Sequence, residues 1–253
     1  MSKLARIRTQ ELHKAQQEAA RQQARRRKVV TIIASAVVLA LVVAIVWAVV
    51  RAAGGNESSG ATGAVVPPGN LTSEGRIPVG DDNAPVTVTI FYDYMCPACG
   101  AFEAGNSDEL TRLVADGTAK VELHPMNFLD PTSNGTEYST RAANAVATVA
   151  DGAPDQLWAF HSALYENQPE EGTTGLSDDE IAGIAEEAGV PSEVVDRFVD
   201  RTYDRWVDSM NAGANEDGVE STPTVLVNGE TFEGDLFTPG PLTEAIESAA
   251  GEK

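Results

Sequence analysis

After residue 84, the apolar positions are spaced first as in a strand and then as in a helix. Residues 85–92 alternate valine and isoleucine with threonine and phenylalanine, which predicts a strand covered on both faces. Apolar residues then recur at helical spacing from Pro97, which suits a first helical position, to a stop at Gly117. Residues 120–123 resemble a second strand. The pattern therefore predicts the order strand, helix, strand.

A block of helices follows in the pattern. Helical periodicity covers residues 136–151, 155–166, 177–188 and 192 to about 211. Ser177 and Glu180 form a capping box at the start of the third helix. The fourth is predicted as one continuous helix with a single apolar side, formed by Val195, Val199, Thr202, Trp206 and Met210.

The chain closes with a predicted hairpin and a helix. Residues 224–227 read as a strand directly after Pro223, and residues 230–233 read as its partner. Asn228 and Gly229 between them are typical of a type I′ turn. Residues 241–250 form the last predicted helix.

Residues 29–50 contain no charge, and a helix of this length spans a hydrocarbon layer of about 30 Å. A buried core helix of this length without a charge is rare, and a cleaved signal peptide has a shorter apolar stretch near the amino terminus. We therefore predict a retained transmembrane helix. Four basic residues precede it, at 25–28, and only Arg51 follows, so the positive-inside rule puts residues 1–28 in the cytoplasm. The rest is predicted to be extracytoplasmic.

Charge divides the chain in the same way. Residues 1–28 carry nine basic and two acidic side chains, whereas residues 52–253 carry eight basic and 36 acidic ones. So acidic a body repels phosphate backbones, which argues against nucleic acid as a partner, while the basic arm suits anionic lipid. Residues 51–75 are rich in Gly, Ser, Asn and Pro and are predicted to be a flexible linker. Residues 76–253 are long enough for one domain.

The chain has two cysteines, Cys96 and Cys99, at the predicted start of a helix. A disulfide across so short a loop adds little stability, which points away from a purely structural bridge. The helix dipole and free backbone amides favour a thiolate on Cys96, and Cys99 would then resolve a mixed disulfide formed there. Zinc is disfavoured because His124 and His161 are not in a paired ligand spacing. We expect neither a metal nor a cofactor.

Three segments carry a resemblance to a known family. They are Phe-Tyr-Asp-Tyr-Met-Cys-Pro-Ala-Cys at 91–99, Ser-Thr-Pro-Thr-Val-Leu-Val-Asn-Gly at 221–229, and Gly-Asp-Asp-Asn-Ala-Pro at 80–85. Together they resemble the DsbA-like branch of the thioredoxin superfamily, in the membrane-anchored form common in actinobacteria. The resemblance covers residues 76–253. It implies a thioredoxin-like α/β fold interrupted by a helical insertion at about 130–218.

The resemblance also implies roles for individual residues. It makes Cys96 and Cys99 the catalytic pair, and it implies that Pro223 is cis and lies against the Cys96 sulfur. Thr222 and Pro223 would then bind an extended substrate strand.

Pro97 and Ala98, between the cysteines, complete the expected substrate-binding set. Strongly oxidising relatives have histidine in place of Ala98, so this position bears on the redox potential. Asp93 is either a buried proton acceptor for Cys99 or a turn residue.

These observations predict a membrane-tethered thiol-disulfide oxidoreductase that promotes disulfide formation in secreted or cell-envelope proteins. Its expected partners are reduced or unfolded secreted proteins and, by resemblance, a quinone-linked reoxidant in the membrane. Isomerase or reductase activity is the first alternative, because a Cys-x-x-Cys pair supports either direction of exchange. A thioredoxin-like binding or chaperone module with an idle cysteine pair is the second.

Overall fold

The computed structural model describes residues 64–251. The basic arm and the predicted transmembrane helix lie outside these residues. Within residues 64–251, no helix combines the length and hydropathy needed to cross a membrane. Ordered contacts begin before residue 76, because Gly69 N donates to Asp151 Oδ1 at 3.0 Å and Leu71 packs on the core. The domain thus includes residues that composition assigned to the linker.

A mixed sheet of five strands forms the centre of this domain, in the order β1-β3-β2-β4-β5. Central β2 pairs parallel with β3 and antiparallel with β4, and both edge strands pair antiparallel with their neighbours. The strands are β1 (Ile77–Val79), β2 (Val86–Tyr92), β3 (Ala119–Pro125), β4 (Thr224–Val227) and β5 (Glu230–Thr231).

Strand β2 is covered on both faces, as its sequence predicts. Val88 and Ile90 belong to the main core, and Phe91 packs in a smaller cluster with Met126 and Ala214. Since a strand points successive side chains to opposite faces, both faces of β2 exclude water. This central position fixes the end of β2, and hence the segment with the cysteines, in the interior of the fold.

Seven helices accompany the sheet in the described residues. They are α1 (Pro97–Ala115), α2 (Tyr138–Gly152), α3 (Leu157–Glu166), α4 (Asp178–Glu187), α5 (Ser192–Val195), α6 (Asp204–Glu216) and α7 (Pro241–Gly251). Short 3₁₀ turns occur at Asp130–Thr132, Pro154–Gln156 and Phe198–Asp200. Helices α2 to α6 all lie between β3 and β4 in the chain. Helix α2 is their buried centre, because its many alanines let the neighbouring helices approach closely.

The prediction of one helix over 192 to about 211 was wrong. The chain there forms α5, a 3₁₀ turn and α6, with Arg201 in a left-handed conformation at φ 51°. Buried Asn144 of α2 stabilises the break: its Nδ2 donates to Phe198 O at 3.0 Å, and its Oδ1 accepts from Tyr203 N at 3.0 Å. The predicted apolar side is interrupted accordingly, and Val199 is 70% exposed.

Two local predictions are confirmed. Ser177 and Glu180 form the capping box of α4, with both reciprocal hydrogen bonds present. Asn228 and Gly229 have φ of 51° and 86°, as a type I′ turn requires, and connect β4 to β5. Strand β1 was not predicted.

Candidate active site

The cysteine pair lies where β2 passes into α1. Cys96 is the residue before the helix, with extended backbone angles of φ −75° and ψ 115°, and Pro97 begins the helix. Cys96 is 8% exposed and Cys99 is 1% exposed, and both are free thiols. Cys96 thus keeps a small exposed area at the start of the helix, whereas Cys99, one turn further along, is almost fully enclosed. A large reactant can therefore reach Cys96 more readily than Cys99.

Hydrogen bonds to the sulfur of Cys96 make it the more acidic of the two. They lower the pKa of Cys96 to about 6; the largest contribution comes from the Cys99 thiol, and the Thr222 side chain and the backbone amides of Cys99 and Ala98 add to it. These donors outweigh the partial burial of the sulfur, which acts in the opposite direction. Cys96 is therefore a thiolate over most of the neutral range and a good nucleophile or leaving group.

Cys99 has the opposite character. Burial raises the pKa of the Cys99 thiol far above its ordinary value, and the adjacent Cys96 sulfur acts in the same direction. A proton is therefore retained on Cys99 while Cys96 is ionised. The helix-start argument predicted this difference in acidity, and the attacking role of Cys96 and the resolving role of Cys99 stay predictions.

Pro223 follows a cis peptide bond, which confirms this part of the expectation drawn from the resemblance. That Pro223 lies against the Cys96 sulfur stays a prediction. The carbonyl oxygen of Thr222 lies 3.3 Å from Cys96 Sγ, which donates to it only while the Cys96 thiol carries its proton. Pro97 is exposed, and Ala98, Thr222 and Pro223 are half-buried. Pro97 and Ala98 are the two residues after Cys96 in the chain, Thr222 contacts Cys96 through its carbonyl oxygen, and Pro223 follows Thr222.

Asp93 is fully buried beside the pair, and its carboxylate has three donors. Oδ1 accepts from Met95 N at 2.8 Å and from Ser139 Oγ at 2.6 Å, and Oδ2 accepts from Leu129 N at 2.9 Å. Burial raises the pKa of this carboxyl to about 6 despite these hydrogen bonds. None of the three donors is Cys99. The carboxylate fastens the segment before Cys96 to the helical block, and its part in proton transfer stays a prediction.

A buried chain of polar side chains beneath the site was missed at the sequence level. Tyr94 Oη lies 2.8 Å from His161 Nδ1, and His161 Nε2 lies 2.9 Å from Glu103 Oε1. The contacts are satisfied when Tyr94 donates to the imidazole and the imidazole donates to the carboxylate. They link the residues before Cys96 to α1 through α3. The partners come from three separate segments, so no spacing in the sequence signals them.

Gln168 is a second residue that the sequence did not reveal. It follows α3, and its Nε2 donates to Cys96 O at 2.8 Å and to Tyr94 O at 3.1 Å. Polar residues are common after the end of a helix, so the sequence gives no signal here. Only the folded chain shows that this amide reaches the backbone of residues 93–99, which we call the redox segment.

Comparison with known proteins agrees with this geometry. A family model described as Thioredoxin matches residues 72–248. Disulfide bond formation protein D of Bacillus subtilis is 29% identical over 162 residues, which cover 63% of this chain and 71% of that protein. The crystal structure of oxidised DsbA from Mycobacterium tuberculosis superposes with a TM-score of 0.61 at 30% identity, covering 70% of this chain and 93% of that one.

The chain belongs to the thioredoxin family. Within that family it is a DsbA-like thiol-disulfide oxidoreductase, as the three sequence segments indicated. A further relative is the serine/threonine-protein kinase PknE of Mycobacterium tuberculosis, 38% identical over 115 residues. That match covers 44% of this chain, and the chain spans only about a fifth of the kinase.

Proposed function

We propose that this protein is a membrane-tethered oxidoreductase that introduces disulfides into secreted or cell-envelope proteins through Cys96-Pro97-Ala98-Cys99. The observation that carries the proposal is the pairing of an acidic, partly accessible Cys96 with a buried, protonated Cys99. A stabilised thiolate favours the reduced form of the pair, which makes its disulfide a better oxidant.

The proposed reaction begins with a disulfide between Cys96 and Cys99. A client thiolate attacks Cys96 Sγ, the bond between the two cysteines breaks, and Cys99 leaves as a thiolate that takes up a proton. A second client thiolate then attacks the client sulfur of the mixed disulfide, and Cys96 leaves as a thiolate. The client loses two electrons and gains a disulfide, and the pair gains the two electrons.

Asp93 is the proposed exchange partner for the proton of Cys99. Its carboxyl is buried beside the pair, and its pKa of about 6 lets it release and accept a proton near neutral pH. Thr222, Pro223, Pro97 and Ala98 are the proposed contacts of the client backbone.

Membrane tethering is part of the proposal and rests on the uncharged stretch at residues 29–50 and its basic flank. A domain held outside the membrane would meet secreted clients and a membrane-bound, quinone-linked reoxidant at high effective concentration. Two observations would support this topology. The full-length protein should partition with membranes, and protease added to intact spheroplasts should digest its carboxy-terminal part. Recovery of the mature protein free in the medium contradicts it.

Two cysteine variants test the proposed roles. Cys99→Ser should accumulate a mixed disulfide with a disulfide-bearing peptide, because Cys96 attacks and nothing resolves the product. Cys96→Ser should accumulate none, because Cys99 is buried and protonated. Both products are counted by mass spectrometry after acid quenching. Capture by Cys96→Ser and not by Cys99→Ser would reverse the roles, and capture by neither would favour an idle pair in a binding module.

A further inference from the structure

Gln168 connects the helical block to the backbone of the redox segment. Its side-chain amide comes from the loop after α3 and donates to the carbonyl oxygens of Tyr94 and Cys96 at 3.1 and 2.8 Å. We propose that Gln168 is a positioning residue that holds the backbone of Cys96 in the conformation in which its sulfur reacts. The inference deepens the proposed function and rests on it.

The two hydrogen bonds act on either side of the reactive residue. An amide nitrogen carries two hydrogens, so one Gln168 side chain supplies both bonds at once. The Tyr94 carbonyl belongs to the peptide group between Tyr94 and Met95, and the Cys96 carbonyl belongs to the peptide group between Cys96 and Pro97. With both peptide planes held, the Cys96 sulfur keeps its place relative to the amides of Ala98 and Cys99, which contribute to its acidity.

Gly100 provides an independent observation. It lies in the first turn of α1, and glycine is a less favourable helix residue than alanine. A Cβ at this position would overlap Gln168 Oε1 and lie 3.0 Å from Gln168 Cδ. Gly100 N also donates to Cys96 O at 3.2 Å, so the glycine and the glutamine share one acceptor. The missing Cβ leaves the space through which the amide reaches the backbone.

The alternative is that Gln168 only ties a loop to the domain. A tie of that kind contributes to the free energy of unfolding and leaves the chemistry of Cys96 unchanged. A positioning residue changes the ionisation and reactivity of Cys96 even where stability is unaffected. The two roles therefore differ in readouts taken on the folded, reduced protein.

The test compares the reduced full-length protein in detergent with Gln168→Leu, Gly100→Ala and the double variant. Gln168→Leu removes both donors at similar size. Gly100→Ala leaves the glutamine in the chain but displaces its amide, and the displaced atom is the end of a flexible side chain. Gly183→Ala is the matched control, because Gly183 is also helical and a Cβ there meets nothing within 4 Å.

Thiolate absorbance against pH should show the pKa of Cys96 raised by about one unit in Gln168→Leu and in Gly100→Ala, since both lose the same geometry. Such a rise lowers the thiolate fraction about tenfold in acid buffer, while the more basic sulfur is about threefold more nucleophilic. Alkylation by iodoacetamide in that buffer should therefore slow about threefold. The double variant should match the single ones, and Gly183→Ala should match the wild type.

An unchanged pKa of Cys96 and an unchanged alkylation rate in Gln168→Leu would overturn the inference, even if its melting temperature fell. A shift in Gln168→Leu without one in Gly100→Ala would overturn the argument from the glycine. Neither readout involves a client protein. A wild-type protein that transfers no disulfide would contradict the proposed function and leave the positioning role open to the same measurement, so the two failures are distinguishable.

Discussion

Cys96 and Cys99 differ in acidity because a single helical turn separates two environments. Cys96 precedes the first turn of α1 and receives hydrogen bonds from Cys99, from the Thr222 side chain and from backbone amides. Cys99 points inward, where burial penalises its thiolate. The spacing in the sequence predicted this order of acidity, because the order depends on the geometry of a helix start and on residues close in the chain.

Other parts of the site depend on contacts that no local pattern reveals. Gln168 and His161 come from the helical block and reach the redox segment across about seventy residues of chain. Asp93 was recognised as a candidate, but its partner Ser139 could not be, because the pairing of α2 with this loop is a tertiary contact. Sequence reasoning found the candidate reacting sulfurs of the cysteine pair and missed most of the residues that surround and position them.

Asp93→Asn tests the buried carboxyl through pH. The pKa is about 6 in the folded chain and about 3.9 in an unfolded one. A raised folded pKa stabilises the wild type fully below pH 4, and this contribution is lost as the pH rises to 6. The variant cannot ionise, so its stability deficit relative to the wild type should shrink by about 2 kcal/mol between pH 4 and pH 7.

Denaturant unfolding of both proteins at several pH values measures that deficit. A deficit that stays constant or grows with pH would show that the carboxyl is not held in its neutral form by burial. Release of peptide from the wild-type mixed disulfide, compared with Asp93→Asn, adds a kinetic readout. Equal release rates would remove Asp93 as the partner for the proton of Cys99.

At the scale of elements, the sequence predicted the strands and helices that have a regular local pattern, and it missed those that depend on contacts with other elements. Strand β2, helix α1 and the hairpin turn were predictable because their signals are local: alternation, Pro97 at a helix start, and Asn228-Gly229. Strand β1 has three residues and exists because β3 offers an edge. Its pattern is too short to indicate a strand.

The break between α5 and α6 was unpredictable for a related reason. Helical periodicity continues in the sequence through residues 196–203, but the buried amide of Asn144 pairs with backbone groups on both sides of the break. A side chain from another helix thus replaces hydrogen bonds that a continuous helix would have made itself.

Asn144→Ala tests this explanation. It leaves the carbonyl of Phe198 and the amide of Tyr203 without their partner, so the free energy of unfolding should fall by about 2 to 4 kcal/mol. Asn215→Ala is the control, because Asn215 is exposed on α6 and its replacement should change stability by less than about 0.5 kcal/mol. Chemical denaturation followed by tryptophan fluorescence measures both. A loss at Asn144 no larger than the control's would mean that the break does not depend on this amide.

At the scale of the whole molecule, charge and hydropathy predict different surroundings for different parts of the chain. The basic arm, the uncharged stretch at residues 29–50 and the acidic body suit a cytoplasmic face, a bilayer and an extracytoplasmic space in turn. The family, its α/β fold and its cysteine pair were predictable from sequence, because the motifs are specific. The reduction potential of the pair depends on all the contacts around Cys96 together. This potential determines whether the pair oxidises or reduces its clients.

The reduction potential of the Cys96/Cys99 pair is the most direct test of the account. The protein is equilibrated in glutathione buffers of graded ratio, and the reduced fraction is read from the mass added by alkylation. A Cys96 pKa of about 6 lies between those of strongly oxidising and strongly reducing relatives, so we expect a potential of about −230 mV. A value below about −270 mV would indicate a reductase, and a pair that does not exchange with glutathione would contradict a thiol-disulfide oxidoreductase altogether.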